Sequence, residues 1–186
     1  MLRAGIIGCG GITERRHAPV LTSFVGHVEH AALADESEAR LALIGDKYSV
    51  SPAHRYTDNE AMLKNESLDL VHVCTPHHLH RPQAIAALQA GSHVLMEKPI
   101  ATSVEEANHI IEAADHAGKK LTISHNQLFR PLHQAVMKHI SQGDIGDVFL
   151  ARTEGISTHH VVGRGEGQHW RASVTSGATG QPVDIN

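Results

Sequence analysis

A glycine-rich turn between an apolar run and a helix-compatible segment constrains the fold of this chain more than any other feature. The sequence from Ala4 to Thr13 reads AGIIGCGGIT, so the apolar run stops at three glycines in four positions. Gly8 allows the chain to turn sharply, and Gly10 lets the backbone come close to a bound group. The pattern is typical of a buried parallel strand leading into a helix whose N-terminal amides bind a pyrophosphate.

Two further positions bear on whether this turn is a nucleotide site. Thr13 stands where the third small residue of the dinucleotide pattern belongs, so we expect the helix to pack on the strand differently. Asp35 ends the next predicted strand, Val28 to Ala34, where the pattern places an acidic residue. Its carboxylate would accept the adenosine ribose hydroxyls and repel a 2′-phosphate, which favours NAD over NADP. A glycine turn without a ligand, and Asp35 as N-cap of a helix from Glu36 to Lys47, remain alternatives.

Short apolar strands alternate with helical segments over residues 1–124. Strands are predicted at Leu70 to Val73, Val94 to Met96 and Leu121 to Ser124. A helix between the last two begins with the capping box Ser103-x-x-Glu106 and ends at Gly118. Repetition of this unit predicts an α/β domain of the Rossmann type, with a doubly wound parallel sheet.

Ligands of such sheets bind outside the carboxyl ends of the strands, where the strand order reverses. Four segments of this chain directly follow predicted strands: Gly8 to Gly11, Asp35, Thr75 to His80, and Glu97 with Lys98. Because the carboxyl ends of parallel strands share one edge of the sheet, we expect these segments to converge there.

The pattern changes after Ser124. A helix is predicted from Phe129 to Ser141, and residues Asp147 to Glu154 alternate like a half-exposed strand. Regularity then fades into Gly, Ser, Thr and His. We therefore divide the chain into a dinucleotide-binding domain, 1–124, and the start of a second, α+β domain, 125–186.

Composition limits the partners. The 186 residues carry 41% hydrophobic residues and a net charge of −4, without a run of Lys or Arg, so a nucleic-acid partner is not expected. No stretch approaches the ~20 apolar residues of a membrane span, and a cytoplasmic location is predicted. Cys9 and Cys74 are expected to be reduced thiols. Although there are 17 histidines, no metal site is predicted, because the groups His77-His78-x-His80 and His159-His160 lack companion ligands.

At this point the sequence resembles the Gfo/Idh/MocA oxidoreductases, the family of glucose-fructose oxidoreductase and inositol dehydrogenase. The resemblance rests on the glycine turn and on five further segments, Tyr56-Thr57-Asp58, DLVHVCTPHHLH from Asp69 to His80, HVLMEKPI from His93 to Ile100, HNQLFRP from His125 to Pro131, and Trp170-Arg171.

The resemblance implies a Rossmann domain followed by an α/β domain with an open, mainly antiparallel sheet that forms homo-oligomers. It implies NAD as the coenzyme and a sugar or polyol as the substrate. Carried over by position, it implies a set of coenzyme-binding residues: Gly8, Gly10, Gly11, Ile12, Asp35, Thr75, Pro76, His77, His80, Glu97, Lys98, Asn126, Trp170 and Arg171.

Within that resemblance, two residues are assigned to catalysis. Lys98 of the EKP motif would orient the substrate or exchange a proton with its hydroxyl, since a nearby cationic nicotinamide lowers the pKa of an ammonium group. Asp184 matches the catalytic Asp of the family, although Asn186 replaces a glycine and the sequence given ends before the His that follows in the family. We therefore expect the second domain to be truncated.

Three functions are compatible with these residues. The first is oxidation of a secondary alcohol of a sugar, polyol or cyclitol by hydride transfer to the nicotinamide. The second is an NAD-dependent glycoside hydrolase or lyase of the same family, which would oxidise its substrate transiently and show no net NADH. The third is a non-catalytic, sugar-sensing regulator that binds NAD.

Overall fold

A computed structural model describes residues 1–152 and residue 154 of the chain. The described residues belong to two compact units, one spanning Met1–Ser124 and one that begins at His125. In the part of the chain that is described, no helix has both the length and the apolar character needed to cross a membrane.

The first unit is built on a six-stranded sheet in which every neighbouring pair is parallel. The strands are β1 (Leu2–Ile7), β2 (Val28–Ala34), β3 (Arg55–Tyr56), β4 (Leu70–Val73), β5 (His93–Met96) and β6 (Leu121–Ile123). Their order in the sheet is β3-β2-β1-β4-β5-β6, so the order reverses between β1 and β4. This confirms the doubly wound parallel sheet.

Helices cover both faces of this sheet. The helices of this unit are α1 (Ala18–Thr22), α2 (Glu38–Lys47), α3 (Asn59–Asn65), α4 (His80–Gln89) and α5 (Val104–Ala117). Side chains of α1 and α2 pack with Ile6 and Leu33 on one face, and those of α3, α4 and α5 pack with Val71 and Val73 on the other. The core is aliphatic, which agrees with the aromatic content of 3%.

Both ends of α5 follow the predicted signals. The Ser103 hydroxyl accepts a hydrogen bond from the Glu106 N–H at 3.1 Å, and Gly118 ends the helix with a φ of 62°. The Glu106 carboxylate accepts from the N–H and hydroxyl of Thr102, one residue earlier than the capping box places it.

The segment after the glycine turn folds as a helix in two parts. It begins with a π-helical turn, Thr13–His17, and continues as the short α1, with Pro19 in its first turn. A π-turn holds one more residue than an α-turn and recurs at functional sites. Two side chains of this turn, Thr13 and His17, point into the protein and are buried.

A polar cluster ties the start of β1 to the segments before β3 and β4. The Glu66 carboxylate accepts from Arg3 Nη2 at 3.0 Å, from the Tyr56 hydroxyl at 2.7 Å, and contacts His54 Nδ1 at 2.5 Å. Arg3 Nη1 also donates to Glu29 at 2.8 Å. Because the Glu66 side chain is only 5% exposed, these partners replace water as its hydrogen-bond donors.

The second unit, as far as it is described, contains a 3₁₀ turn, Asn126–Phe129, and the helix α6, Pro131–Ser141. The helix confirms the prediction to within two residues at its start. The strand predicted over Asp147 to Glu154 is wrong for residues 147–152 and 154, which are irregular. An alternating pattern forms a strand only when a neighbouring strand pairs with it, and no described residue of this unit supplies one.

Candidate functional site

The glycine turn lies where the strand order of the sheet reverses. Gly8 follows β1 with a φ of +95°, and a Cβ there would lie 2.8 Å from the Cys74 carbonyl carbon and 2.9 Å from Thr75 Cγ2. A side chain at this position is therefore excluded by backbone conformation and by space. The absence of a Cβ lets the ends of β1 and β4 approach each other at the edge where ligands of such sheets bind.

The next part of the turn leaves room and hydrogen-bond donors for a ligand. A Cβ built on Gly10 would meet nothing within 4 Å. Among the residues that the structure describes, the N–H groups of Gly10, Gly11 and Ile12 donate to no other group. Consecutive unpaired amides beside open space are what a pyrophosphate requires, so the turn fits a dinucleotide.

Thr13 is accommodated through its hydroxyl. The side chain is buried, and Oγ1 donates a hydrogen bond to the Gly8 carbonyl at 2.5 Å. Thr13, which replaces the third small residue of the dinucleotide pattern, thus bonds the start of the helix to the turn. The helix packs on the strand differently from that pattern, as the sequence predicts.

Asp35 is bonded to the turn itself. Its carboxylate accepts hydrogen bonds from the N–H of Cys9 at 2.6 Å and of Ser37 at 2.9 Å. The alternative in which Asp35 caps α2 is wrong, because Ser37 is the N-cap and accepts from the Arg40 N–H. Since each carboxylate oxygen can accept a second hydrogen bond, Asp35 still has capacity for ribose hydroxyls.

The Arg40 side chain binds the backbone carbonyl of Cys9, the residue whose N–H donates to Asp35. Its Nε donates to the Cys9 carbonyl at 2.8 Å, and its Nη2 donates to Glu14 at 2.9 Å. Burial, together with the charge of Asp35, raises the pKa of the Cys9 thiol to about 12, against a smaller opposing effect of Arg40. The thiol therefore stays protonated at neutral pH. Cys9 is held through its backbone N–H and carbonyl, which bond to Asp35 and Arg40, and not through a thiolate.

The loop after β4 contains Thr75, Pro76, His77 and His80. Thr75 donates to Gln83 Oε1 at 2.5 Å, and Pro76 precedes a 3₁₀ turn, His77–Leu79. The His80 ring is fully buried, with Nδ1 2.8 Å from the Pro99 carbonyl and Nε2 3.0 Å from the Thr75 carbonyl. His80 thus connects this loop to the Lys98-Pro99 segment, whose peptide bond is cis.

Glu97 follows β5 and is the last of three side chains that are hydrogen-bonded in series inside the protein. Its Oε1 lies 2.9 Å from Nε2 of His17, whose Nδ1 lies 3.0 Å from Nδ1 of His72. Burial would raise the pKa of Glu97, but hydrogen bonds from His17 and Ser124 and the Lys98 backbone lower it below its usual range. Burial and the neighbouring His17 lower the pKa of His72 to about 3, so that ring is neutral.

The structure brings most of the predicted residues to one edge of the sheet. Gly8, Asp35, Thr75 and Glu97 with its neighbours follow β1, β2, β4 and β5. Asn126 begins the 3₁₀ turn of the second unit. The remaining predicted residues lie outside the described part of the chain: Trp170, Arg171 and Asp184.

Three residues that are hydrogen-bonded to the site were not predicted from the sequence, namely His17, His72 and Arg40. His72 carried one usable signal, because it is a polar residue in the middle of the apolar run LVHV. His17 and Arg40 lie on helices, and no local pattern distinguishes them from surface residues. Among the described residues, no group of three or more His, Cys, Asp or Glu side chains is arranged to hold a metal ion.

The strand order, the glycine turn at its reversal and the acidic residue after β2 define a dinucleotide-binding protein of the Rossmann class. A family model described as "Oxidoreductase family, NAD-binding Rossmann fold" matches residues 2–125. The chain belongs to this family, the Gfo/Idh/MocA oxidoreductases.

Relatives of the chain are dehydrogenases and reductases. It is 29% identical to D-glucoside 3-dehydrogenase of Escherichia coli K12, covering 88% of this chain and 46% of the relative. Among solved structures it resembles the WlbA dehydrogenase of Bordetella pertussis in complex with NADH and UDP-GlcNAcA (TM-score 0.74, 30% identity, 78% and 41% coverage). It also resembles scyllo-inositol dehydrogenase of Lactobacillus casei with bound NAD(H) and scyllo-inositol, with a TM-score of 0.73 and 26% identity. This match covers 79% of this chain and 43% of the other. The chain spans about half the length of the curated relatives it matches.

Proposed function

We propose that this chain is the coenzyme-binding part of an NAD-dependent oxidoreductase that oxidises a secondary alcohol of a sugar, polyol or cyclitol. The observation that carries the proposal is the glycine turn at the strand-order reversal, with unpaired amides at Gly10, Gly11 and Ile12 and with Asp35 bonded to the same turn. The family match and the sugar-related relatives support the reaction class.

The coenzyme would lie along the carboxyl edge of the sheet. The amides of Gly10, Gly11 and Ile12 would bind the pyrophosphate, and Asp35 the adenosine ribose. Thr75, Pro76 and His77 would line the dinucleotide, with Glu97 beside the nicotinamide ribose. His80 is buried and would contribute by holding the carbonyls of Thr75 and Pro99 in place. Asn126, Trp170 and Arg171 remain predicted coenzyme contacts from the resemblance.

Lys98 would hold the substrate hydroxyl and exchange its proton, with Asp184 as the second proton-transfer group. NAD, when bound, supplies the hydride acceptor at C4 of its nicotinamide. The protein contributes the orientation of the alcohol and the path of its proton. A homo-oligomeric state and a cytoplasmic location also stay predictions.

Two contacts favour NAD over NADP. The Asp35 carboxylate repels a 2′-phosphate, and the Arg40 guanidinium, a group suited to bind that phosphate, is already bonded to Cys9 and Glu14. We expect calorimetric titration of the chain to show tighter binding of NAD than of NADP. No heat with either coenzyme, on folded protein, would contradict the proposal.

The variant Asp35→Ala tests the ribose contact. It removes acceptors of the two ribose hydroxyls, so we expect NAD affinity to fall roughly 100-fold, while NADP, which has no free 2′-hydroxyl and is no longer repelled, loses less. Because both coenzymes bind the same variant, damage to the turn would affect them alike. An equal loss for both would remove Asp35 from this role.

The reaction class is tested by a screen of sugars and inositols with NAD on the full-length protein, in which the absorbance of NADH is followed. We expect NADH to accumulate with at least one secondary alcohol. Release of a sugar without net NADH would indicate the hydrolase or lyase reaction instead. Coenzyme binding that survives Lys98→Ala, with no substrate oxidised by the full-length protein, would indicate a non-catalytic NAD-binding protein.

A further inference from the structure

A buried chain of three side chains runs from the middle of the sheet to the proposed nicotinamide end of the site. His72 lies on β4 between β1 and β5, His17 on the π-turn after the glycine turn, and Glu97 at the end of β5. The side chain of His17 is 5% exposed and that of Glu97 is 17% exposed. Three separate elements therefore meet in one hydrogen-bonded chain inside the protein.

The chemistry of the groups fixes the direction of the hydrogen bond to Glu97. The ionised carboxylate of Glu97 only accepts, so His17 Nε2 carries a hydrogen and donates it. The His72 ring is neutral, and its Nδ1 lies 3.0 Å from Nδ1 of His17, so one of these two nitrogens donates to the other. Every arrangement that satisfies both contacts has a hydrogen on His17 Nε2.

We propose that His17, held in place by His72, is a positioning residue that fixes the Glu97 carboxylate for the nicotinamide half of the coenzyme. This inference rests on the proposed function. A carboxylate that is partly exposed can rotate, and a buried donor on one oxygen restricts it to one orientation. The other oxygen, and the adjoining Lys98 whose backbone also contacts Glu97, are then held at the edge of the sheet.

The role is tested by comparing two ligands in one variant. We expect His17→Leu to lower the affinity for NADH by about tenfold, since a charge-assisted hydrogen bond is lost beside the nicotinamide ribose. ADP shares the adenosine and the pyrophosphate of NADH but has neither the nicotinamide nor the ribose that carries it. Its affinity should therefore stay as in the parent chain. Both constants are measured by calorimetry on the 186-residue chain.

Two further variants separate positioning from packing. Glutamine at position 17 keeps an N–H donor at a similar reach, so His17→Gln should recover most of the NADH affinity that the leucine variant loses. His116→Leu replaces an exposed histidine in the last turn of α5 and should change neither affinity. An equal loss of affinity for NADH and for ADP in His17→Leu, or no loss for either, would overturn the proposal.

The hydrogen-bonded chain has a readout that needs no coenzyme. Nitrogen-15 NMR of the histidine rings should show a hydrogen on Nε2 of His17 at neutral pH. A His17 ring whose Nε2 carries no hydrogen would overturn the proposal even if the coenzyme binds. A parent chain that binds neither NADH nor ADP would instead contradict the proposed function, and this binding is measured before any variant is made.

Discussion

Replacing Gly8 with alanine is expected to lower the free energy of unfolding by about 2–5 kcal/mol and to abolish coenzyme binding. The φ of +95° costs an L-residue roughly 1–2 kcal/mol. The new Cβ would also lie 2.8 Å from the Cys74 carbonyl carbon. Overlap with a packed backbone adds about 1–3 kcal/mol, because β1 and β4 must separate to relieve it. Urea unfolding followed by circular dichroism measures the loss.

Substitutions at two other glycines separate the backbone strain, the steric overlap and the loss of coenzyme binding that Gly8→Ala combines. Gly26 has a φ of +80° and open space around its Cβ position, so Gly26→Ala should show the backbone strain alone. Gly10 has neither a positive φ nor a neighbour within 4 Å, so Gly10→Ala should fold normally and lose affinity only for the coenzyme. If Gly8→Ala were no less stable than Gly26→Ala, the close approach to Cys74 would not exist in solution.

Glu66→Ala is expected to destabilise the fold by about 2–4 kcal/mol at neutral pH, because it leaves the side chains of Arg3, His54 and Tyr56 without their shared acceptor. An ion pair with an exposed carboxylate provides the matched control. Asp46 contacts Arg55 at 2.8 Å, but the Asp46 side chain is 74% exposed and Arg55 also donates to the Val50 carbonyl, so Asp46→Ala should change stability little.

The pH dependence of this effect follows from the pKa of Glu66. Burial raises that pKa, but hydrogen bonds from His54 and Tyr56 and the charge of Arg3 lower it below its usual range. A carboxyl with a depressed pKa in the folded state contributes stability above its unfolded pKa, and the contribution is lost as the pH falls through the folded pKa. The difference between the parent chain and Glu66→Ala should therefore be full above about pH 5 and shrink in acid. A difference independent of pH would assign the effect to packing alone.

Much of the candidate site could be predicted from sequence because its residues carry local signals. A turn at Gly8 and an acid at Asp35 each follow an apolar strand, and the end of a parallel strand fixes the edge of the sheet at which a residue lies. Local patterns gave wrong predictions where hydrogen bonds to other residues decide which structure forms. Residues 147–152 alternate like a strand but have no described strand to pair with, and Ser37 rather than Asp35 is the cap of α2.

The sequence alone determined the alternation of strands and helices, the glycine turn and the residues that follow each strand. These features depend on hydrophobic period and backbone freedom, which act over a few neighbouring residues. Only the tertiary structure decided that His17 meets His72 and Glu97, which are 55 and 80 positions away. Such contacts depend on strand order and on how a π-turn directs one side chain inward, and no local pattern encodes either.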